Sequence, residues 1–167
     1  MNNDGDKTKN QLDFHRFIIF YGYNYTEKWS FKSELEIEHN MIDGNGDYDG
    51  EVELEQAYVN YHDNNWGFKM GVLLISAGYI NETHEPPTFF GVERDRVHSE
   101  IIPSTWWEAG LGTRAQLGDG LGYDFYVHSG LETPVTGSSA FRIRSGRQKV
   151  AEAVANQPAA TGRIRWN

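Results

Sequence analysis

The sequence predicts an all-β fold: an antiparallel sheet of about seven strands that forms part of a transmembrane β-barrel. Three observations predict it. Apolar and charged residues alternate along several stretches, so that Glu34 and Glu36 face one side of a strand while Leu35 and Ile37 face the other. The connections between these stretches are alternately short and long. No apolar run approaches the roughly 20 residues of a membrane-spanning helix, whereas a barrel strand needs lipid-facing side chains only at alternate positions.

Each predicted strand has its own signal, taken in chain order. The first is rich in Phe, Ile and Tyr, and the second and third alternate glutamate with large apolar residues. The fourth places Trp66, Phe68 and Met70 on one face, and the fifth alternates apolar with Gly or polar residues. The sixth opposes Phe125 and other apolar residues to polar ones, and the seventh places Ile164 opposite its arginines. The predicted strands are 12–25, 29–39, 51–62, 66–77, 105–117, 122–131 and 159–167.

The connections predict the arrangement of the sheet. Tight turns are expected at 26–28, 63–65 and 118–120, and long loops at 40–50, 78–104 and 132–158. In an antiparallel meander all the short turns then lie at one end and all the long loops at the other, as in bacterial outer-membrane barrels. Trp29, Trp66 and Trp166 lie near strand ends, where an interfacial aromatic girdle would sit, although ordinary packing explains each of them equally well.

Two local irregularities are also predicted. The alternation of the third strand weakens after Glu55, which indicates a β-bulge there. The segment 149–155 has the composition of one or two helical turns.

Composition narrows the class of protein. The 167 residues include 15 Lys and Arg against 24 Asp and Glu, a formal net charge of −9, which makes a nucleic-acid binder a poor candidate. The absence of cysteine excludes disulfides and thiolate metal sites. Residues 1–11 are a polar tail, and residues 12–167 are assigned to the barrel. The first ten residues lack the apolar core of a secretory signal, so either the true start lies upstream or the barrel interpretation is wrong.

The sharpest candidate site is a row of acidic residues on the second and third strands. If these two strands pair through the loop between them, the carboxylates share one face and must meet water, cations or arginines, since like charges opposite each other are destabilising. We favour the wall of an aqueous pore; the alternatives are the solvated face of a soluble sheet and, least favoured, a glycosidase carboxylate pair. The residues of this glutamate wall are Glu34, Glu36, Glu38, Glu51, Glu53 and Glu55.

Further charged residues are predicted to line the same interior. In wide porins a long loop can fold into the lumen, so the loop 78–104 is a candidate constriction, with Glu93, Arg94 and Arg96 as its charged residues. Its two arginines would then pair with the glutamate wall; an ordinary surface loop is an equally good interpretation. The remaining predicted pore-lining residues are Lys32, Glu108, Arg114, Asp124, Arg163 and Arg165.

Metal and nucleophile patterns are weak. The loop sequence DGNGDYDGE, from Asp43 to Glu51, spaces oxygen ligands at every second position, but it departs from the EF-hand spacing, and a polar external loop is favoured over a calcium site. His84 and Glu85 are adjacent without the second histidine of a zinc-protease helix, and the other histidines are scattered. No nucleophile-elbow sequence occurs. No metal, cofactor or enzymatic activity is therefore predicted.

Several segments together resemble a group of bacterial outer-membrane porins in or beside the phosphate-selective porin superfamily. They are FHRFIIFYGYNYTEKWSFKSELEIEHN, GEVELEQAYVNY, NETHEPPTFFGVERDRVHSEIIPSTWWEAG and RSGRQKVAEA. The resemblance covers residues 12–167. It implies a single-chain barrel of many strands, often homotrimeric, that lies in the outer-membrane bilayer and passes small polar solutes or ions passively. Seven strands are fewer than a wide pore requires, so we expect the chain to be part of a longer porin.

The sequence is also compatible with a second function, that of a binding protein and not a channel. The same pattern suits a soluble all-β binding module, such as a sandwich that holds a carbohydrate through its aromatic residues. In a sandwich the apolar faces would meet each other, whereas in a barrel they would surround the outside.

Overall fold

The computed structural model describes residues 12–39, 50–78, 80–89, 91, 94–101 and 104–166. Its seven strands form one antiparallel sheet in the order of the chain, with β1 and β7 at the two edges. The all-β antiparallel class is thus confirmed, and within this chain the sheet is open. The strands are β1 (Arg16–Asn24), β2 (Trp29–Glu38), β3 (Val52–Asp63), β4 (Trp66–Leu74), β5 (Trp107–Gly118), β6 (Leu121–His128) and β7 (Ala159–Trp166).

The connections alternate as predicted. Residues 25–28, 64–65 and 119–120 make tight turns, and 39–51, 75–106 and 129–158 are long. Because neighbouring strands are antiparallel, the tight turns gather at one end of the sheet, here called the turn end, and the long connections at the other. The helical elements among the described residues are short: three turns at Asn81–Thr83, Pro86–Thr88 and Val97–Ile101, and the helix α1 at Ile143–Gly146. None of these helices is long and apolar enough to span a membrane.

The strand register gives the sheet a polar and an apolar face. Glu36 of β2 pairs with Ile18 of β1 and Glu53 of β3, while Leu35 pairs with Ile19 and Leu54. Directly paired residues point to the same side of a sheet, so this register keeps the alternation of neighbouring strands in phase. The register between β2 and β3 shifts at Glu55, which confirms the predicted bulge.

The apolar face carries large side chains that remain substantially exposed. Members of this set occur on strands from β1 to β7, and the most exposed of them, Ile164, is 79% exposed. At the turn end the rings of Trp29, Tyr61, Trp66 and Phe68 contact one another with centroids 5.0–6.4 Å apart. The other members are Phe17, Ile19, Tyr21, Tyr23, Val52, Leu54, Met70, Leu111, Leu117, Phe125, Val127 and Trp166.

Two long connections, 75–106 and 129–158, lie over part of the polar face. The first crosses the glutamate wall, and the second contributes Arg147, Gln148 and Lys149, which contact the sheet or the first connection. The predicted helical turns at 149–155 are wrong: Lys149 and Val150 have φ of 51° and 61°, outside the right-handed helical region. The helical turn lies earlier, in α1.

Two tyrosines pack over glycines in the middle of the polar face. Tyr58, Leu73 and Tyr126 form a small buried apolar cluster. A Cβ atom on Gly112 would lie 2.5 Å from the Tyr126 ring, so glycine leaves the space that this ring occupies. Gly71, paired with Tyr58, has φ of 136°, a conformation that favours glycine.

Candidate functional site beneath the first long loop

Asn81 fastens the two ends of the connection 75–106. Its amide nitrogen donates to the carbonyl oxygens of Ile75 and Trp106, each at 2.7 Å, and its side-chain oxygen accepts from the Trp106 backbone N–H at 2.8 Å. The residue is 2% exposed. One side chain thereby satisfies three buried backbone groups where β4 ends and β5 begins.

His84, three residues further along, reaches from the loop to the glutamate wall. Its Nε2 lies 2.9 Å from Oε2 of Glu55, and both side chains are 1% exposed. Its Nδ1 lies 2.7 Å from the carbonyl oxygen of Asn81, which only accepts, so Nδ1 carries a hydrogen. Burial alone lowers the pKa of His84, but the hydrogen bond and charge of Glu55 outweigh it and raise the pKa above its ordinary value.

The bulge places Glu55 for this contact. Because Leu54 pairs with Leu35 and Gln56 pairs with Glu34, Glu55 is the extra residue on β3. Gln56 donates a short hydrogen bond to Oε2 of Glu34, whose other oxygen has no hydrogen-bond partner although Glu34 is only 2% exposed. Glu34 also interacts electrostatically with Glu55 and Glu85. We call Glu34, Glu55, His84 and Glu85 the carboxylate–histidine cluster.

The outer part of the glutamate wall is paired with cations from neighbouring segments. Arg16 on β1 contacts Glu36 at 3.2 Å and Glu38 at 3.0 Å. Lys149, from the second long connection, contacts Glu53 at 2.6 Å and lies over the Trp107 ring. Thus Glu34, Glu36, Glu38, Glu53 and Glu55 share one face, as predicted, and both β1 and the loops contribute to their neutralisation.

Glu108 anchors the second long connection. It accepts from Trp106 Nε1 at 3.0 Å, from the Gln148 backbone N–H at 2.9 Å and from the Ser129 hydroxyl group, and it is fully buried. Arg147 donates to the carbonyl oxygens of Ser104 and Thr105. The two long connections are therefore joined to each other as well as to the sheet.

The positive side chains gather on the opposite side of the polar face. Asp124 contacts Arg163 at 2.9 Å and Arg165 at 3.0 Å, and Arg163 also reaches Glu82 of the loop at 2.7 Å. Arg114, paired in register with Asp124, is exposed. Lys32 lies on β2 near the turn end and is also exposed.

A groove of about 230 Å³ opens at the turn end of this positive region. Arg114 and Arg165 line it together with His62, Asn64, Asn65 and Gln116. Cationic and amide side chains at its wall suit small polar or anionic solutes.

The predicted constriction residues do not lie together. Arg94 is partly buried, donates to Ser104 Oγ at 3.1 Å, and interacts electrostatically with Glu36 and Glu55. Arg96 is 92% exposed, and its ion pair is with Glu100 at 3.9 Å, not with the wall. Glu93 and most of the candidate calcium loop lie outside the described residues, and Glu51 is exposed just before β3.

Sequence reasoning gave no role to Asn81 or Arg16 and set His84 aside. The signal for Asn81 and His84 was the long loop's predicted return into the interior, which did not say which of its residues would meet the sheet. Arg16 lies on β1 and reaches the wall because β1 pairs with β2. Chemically, the polar face offers two things: a charged surface of paired acids and bases with Arg114 exposed at the groove, and a buried set of oxygen and imidazole groups beneath the loop.

Comparison with known proteins finds one similar sequence among the curated proteins. A protein of Aquifex aeolicus (strain VF5), described only as an uncharacterized protein, is 38% identical over 166 residues; the match covers 98% of this chain and 38% of the relative. The chain thus spans well under half the length of this curated relative. No family model matches the chain, and no solved structure matches it.

Proposed function

We propose that the chain forms part of the wall of a bacterial outer-membrane β-barrel whose interior passes small polar solutes or ions by diffusion. The observation that supports it best is that carboxylates are buried while large apolar side chains are exposed, the reverse of the distribution in a water-soluble protein. Glu34, Glu55 and Glu108 are 2%, 1% and 0% exposed, while Phe17, Leu111 and Trp166 are 51%, 55% and 73% exposed. In water the exposed apolar side chains are unfavourable because they remain hydrated, whereas the buried carboxylates have partners such as His84 for Glu55 and Ser129 for Glu108.

A bilayer outside accounts for the exposed apolar face, and a barrel interior accounts for a polar face on which loops bury the carboxylates while Arg114 and Lys32 stay exposed. The apolar face is large, spans the sheet and ends in aromatic rings at the turn end, as a lipid-facing band with its girdle does. As part of this proposal we expect the protein to form a homotrimer, as similar porins often do.

The charges would set the properties of the passage. Acids of β2 and β3 lie on one side of the polar face and Arg114, Arg163 and Arg165 on the other, with the loop 75–106 across the acidic side. Opposed rings of charge in a pore bias which ions enter.

The test is ion conduction by the purified protein. The protein produced from its complete reading frame would be incorporated into planar lipid bilayers, and stepwise current increases at fixed voltage are expected. A preparation that is folded by circular dichroism, remains dispersed without detergent and gives no current steps would overturn the proposal.

Arg114 provides a prediction about selectivity. Because it is exposed at the groove and has no ion pair among the described residues, Arg114→Glu should shift the reversal potential of a salt gradient toward cation preference. Arg96→Glu, a change of the same charge at a site turned away from the wall, is the matched control and should have a smaller effect. Equal shifts in the two variants would contradict the proposed position of Arg114 in the passage.

The contiguous rings of Trp29, Tyr61, Trp66 and Phe68 favour a second candidate, a carbohydrate-binding module. Such rings provide flat apolar surfaces on which sugars stack. This candidate predicts a protein that is dispersed in buffer without detergent and loses oligosaccharide binding in Trp66→Ala. Binding to a glycan array would be measured for the wild type and for Trp66→Ala.

A further inference from the structure

The carboxylate–histidine cluster combines ligand atoms at close range beneath the loop. Ligand atoms of Glu55, His84 and Glu85 all lie within 4.8 Å of one another. Nε2 of His84 is 2.9 Å from Glu55 Oε2 and 3.7 Å from Glu85 Oε1. Ligands about 2.0–2.2 Å from a tetrahedral zinc ion lie about 3.4 Å from each other, so these separations bracket the required value.

The orientation of His84 suits a metal ligand. Metal-bound histidines commonly donate their second ring N–H to a carbonyl or carboxylate group, which fixes the tautomer. Here Nδ1 donates to the Asn81 carbonyl oxygen, outside the cluster, and leaves Nε2 directed at the carboxylates.

Glu34 supplies an independent sign of a missing partner. Its Oε1 is buried and lacks a hydrogen-bond partner, and Glu34 interacts electrostatically with Glu55 and Glu85. Carboxylate oxygens only accept hydrogen bonds, so neighbouring carboxylates repel unless a proton or a cation neutralises them. A buried acceptor left without a partner is unfavourable, and a cation would satisfy it.

We propose that Glu55, His84 and Glu85 bind one divalent transition-metal ion beside Glu34, with Zn²⁺ as the best fit. Imidazole favours zinc, iron, nickel or copper over calcium and magnesium, and the short separations suit a small ion. Because His84 and Glu85 belong to the loop and Glu34 and Glu55 to the sheet, the ion would join the loop to the wall. The proposal is independent of whether the apolar face meets lipid.

Metal titration of the whole protein tests the proposal. Protein from the complete reading frame, purified in detergent and stripped with EDTA, would be titrated with ZnCl₂ by calorimetry and with CoCl₂ by absorption spectroscopy. We expect a tightest site of one ion per chain. His84→Ala should weaken this site by about 100-fold or more, because loss of an outer-shell partner alone weakens metal sites by 10–100-fold.

Two further variants make the result decisive. Glu85→Gln changes a carboxylate that is 25% exposed, so the protein should fold even if His84→Ala does not, and it should also weaken the tightest site. His128→Ala is the matched control: His128 is equally buried on the polar face, but its ring binds Ser129 and Thr161, so zinc affinity should not change. No zinc binding by the wild type, or unchanged affinity in Glu85→Gln, would overturn the proposal.

Discussion

Leu111→Lys should destabilise the protein in a bilayer by about 2–4 kcal/mol. Leu111 lies near the middle of β5 on the apolar face and is 55% exposed. In a lipid-facing position, lysine would place its ammonium group in hydrocarbon; in a water-facing position, the same change should be nearly neutral. Unfolding of the protein in lipid vesicles by urea would measure the difference in free energy.

Leu117→Lys is the matched control for depth. Leu117 shares the strand and the face of Leu111 and is 62% exposed, but it lies next to the tight turn, where an interface would be. The expected effect there falls to about 0–1 kcal/mol. Equal, negligible effects at both sites would count against lipid contact and favour the soluble binding module.

Asn81→Leu should destabilise the attachment of the loop by about 3–4 kcal/mol. The change removes three buried hydrogen bonds, each contributing about 1 kcal/mol, and leaves the Trp106 backbone N–H without its acceptor. The carbonyl oxygens of Ile75 and Trp106 still accept from the N–H groups of Ala77 and Ile75. Amide hydrogen exchange across residues 75–106 should therefore become much faster. If the protein is a channel, its conductance should also rise as the loop leaves the polar face.

Asn60→Leu is the matched control, because it also replaces an asparagine side chain on the polar face by leucine. Asn60 makes a single side-chain bond in the described structure, to Ser30 at a long 3.5 Å, so little change is expected in loop exchange. If the loop amides of Asn81→Leu kept wild-type protection, Asn81 would not be the anchor that its contacts indicate.

The period-two pattern predicted the sheet well, because strand geometry converts alternation directly into faces. It placed Glu36 and Glu53 on one side and located the bulge at Glu55, and both are confirmed. It failed at 149–155, where alanine-rich composition suggested helix but Lys149 turns back so that its ammonium reaches Glu53 and its N–H approaches Glu108. Tertiary contacts override weak helical propensity in so short a segment.

What the sequence determined by itself was the sheet: its class, the order of short and long connections, and which residues share each face. These properties depend on neighbours along the chain and on the fixed geometry of a strand. Only the tertiary structure brought His84 onto the glutamate wall, placed Asn81 between the two ends of the loop and left Arg96 exposed to solvent. The path of a long loop is set by contacts between residues far apart in sequence, such as His84 with Glu55, and no local pattern encodes them.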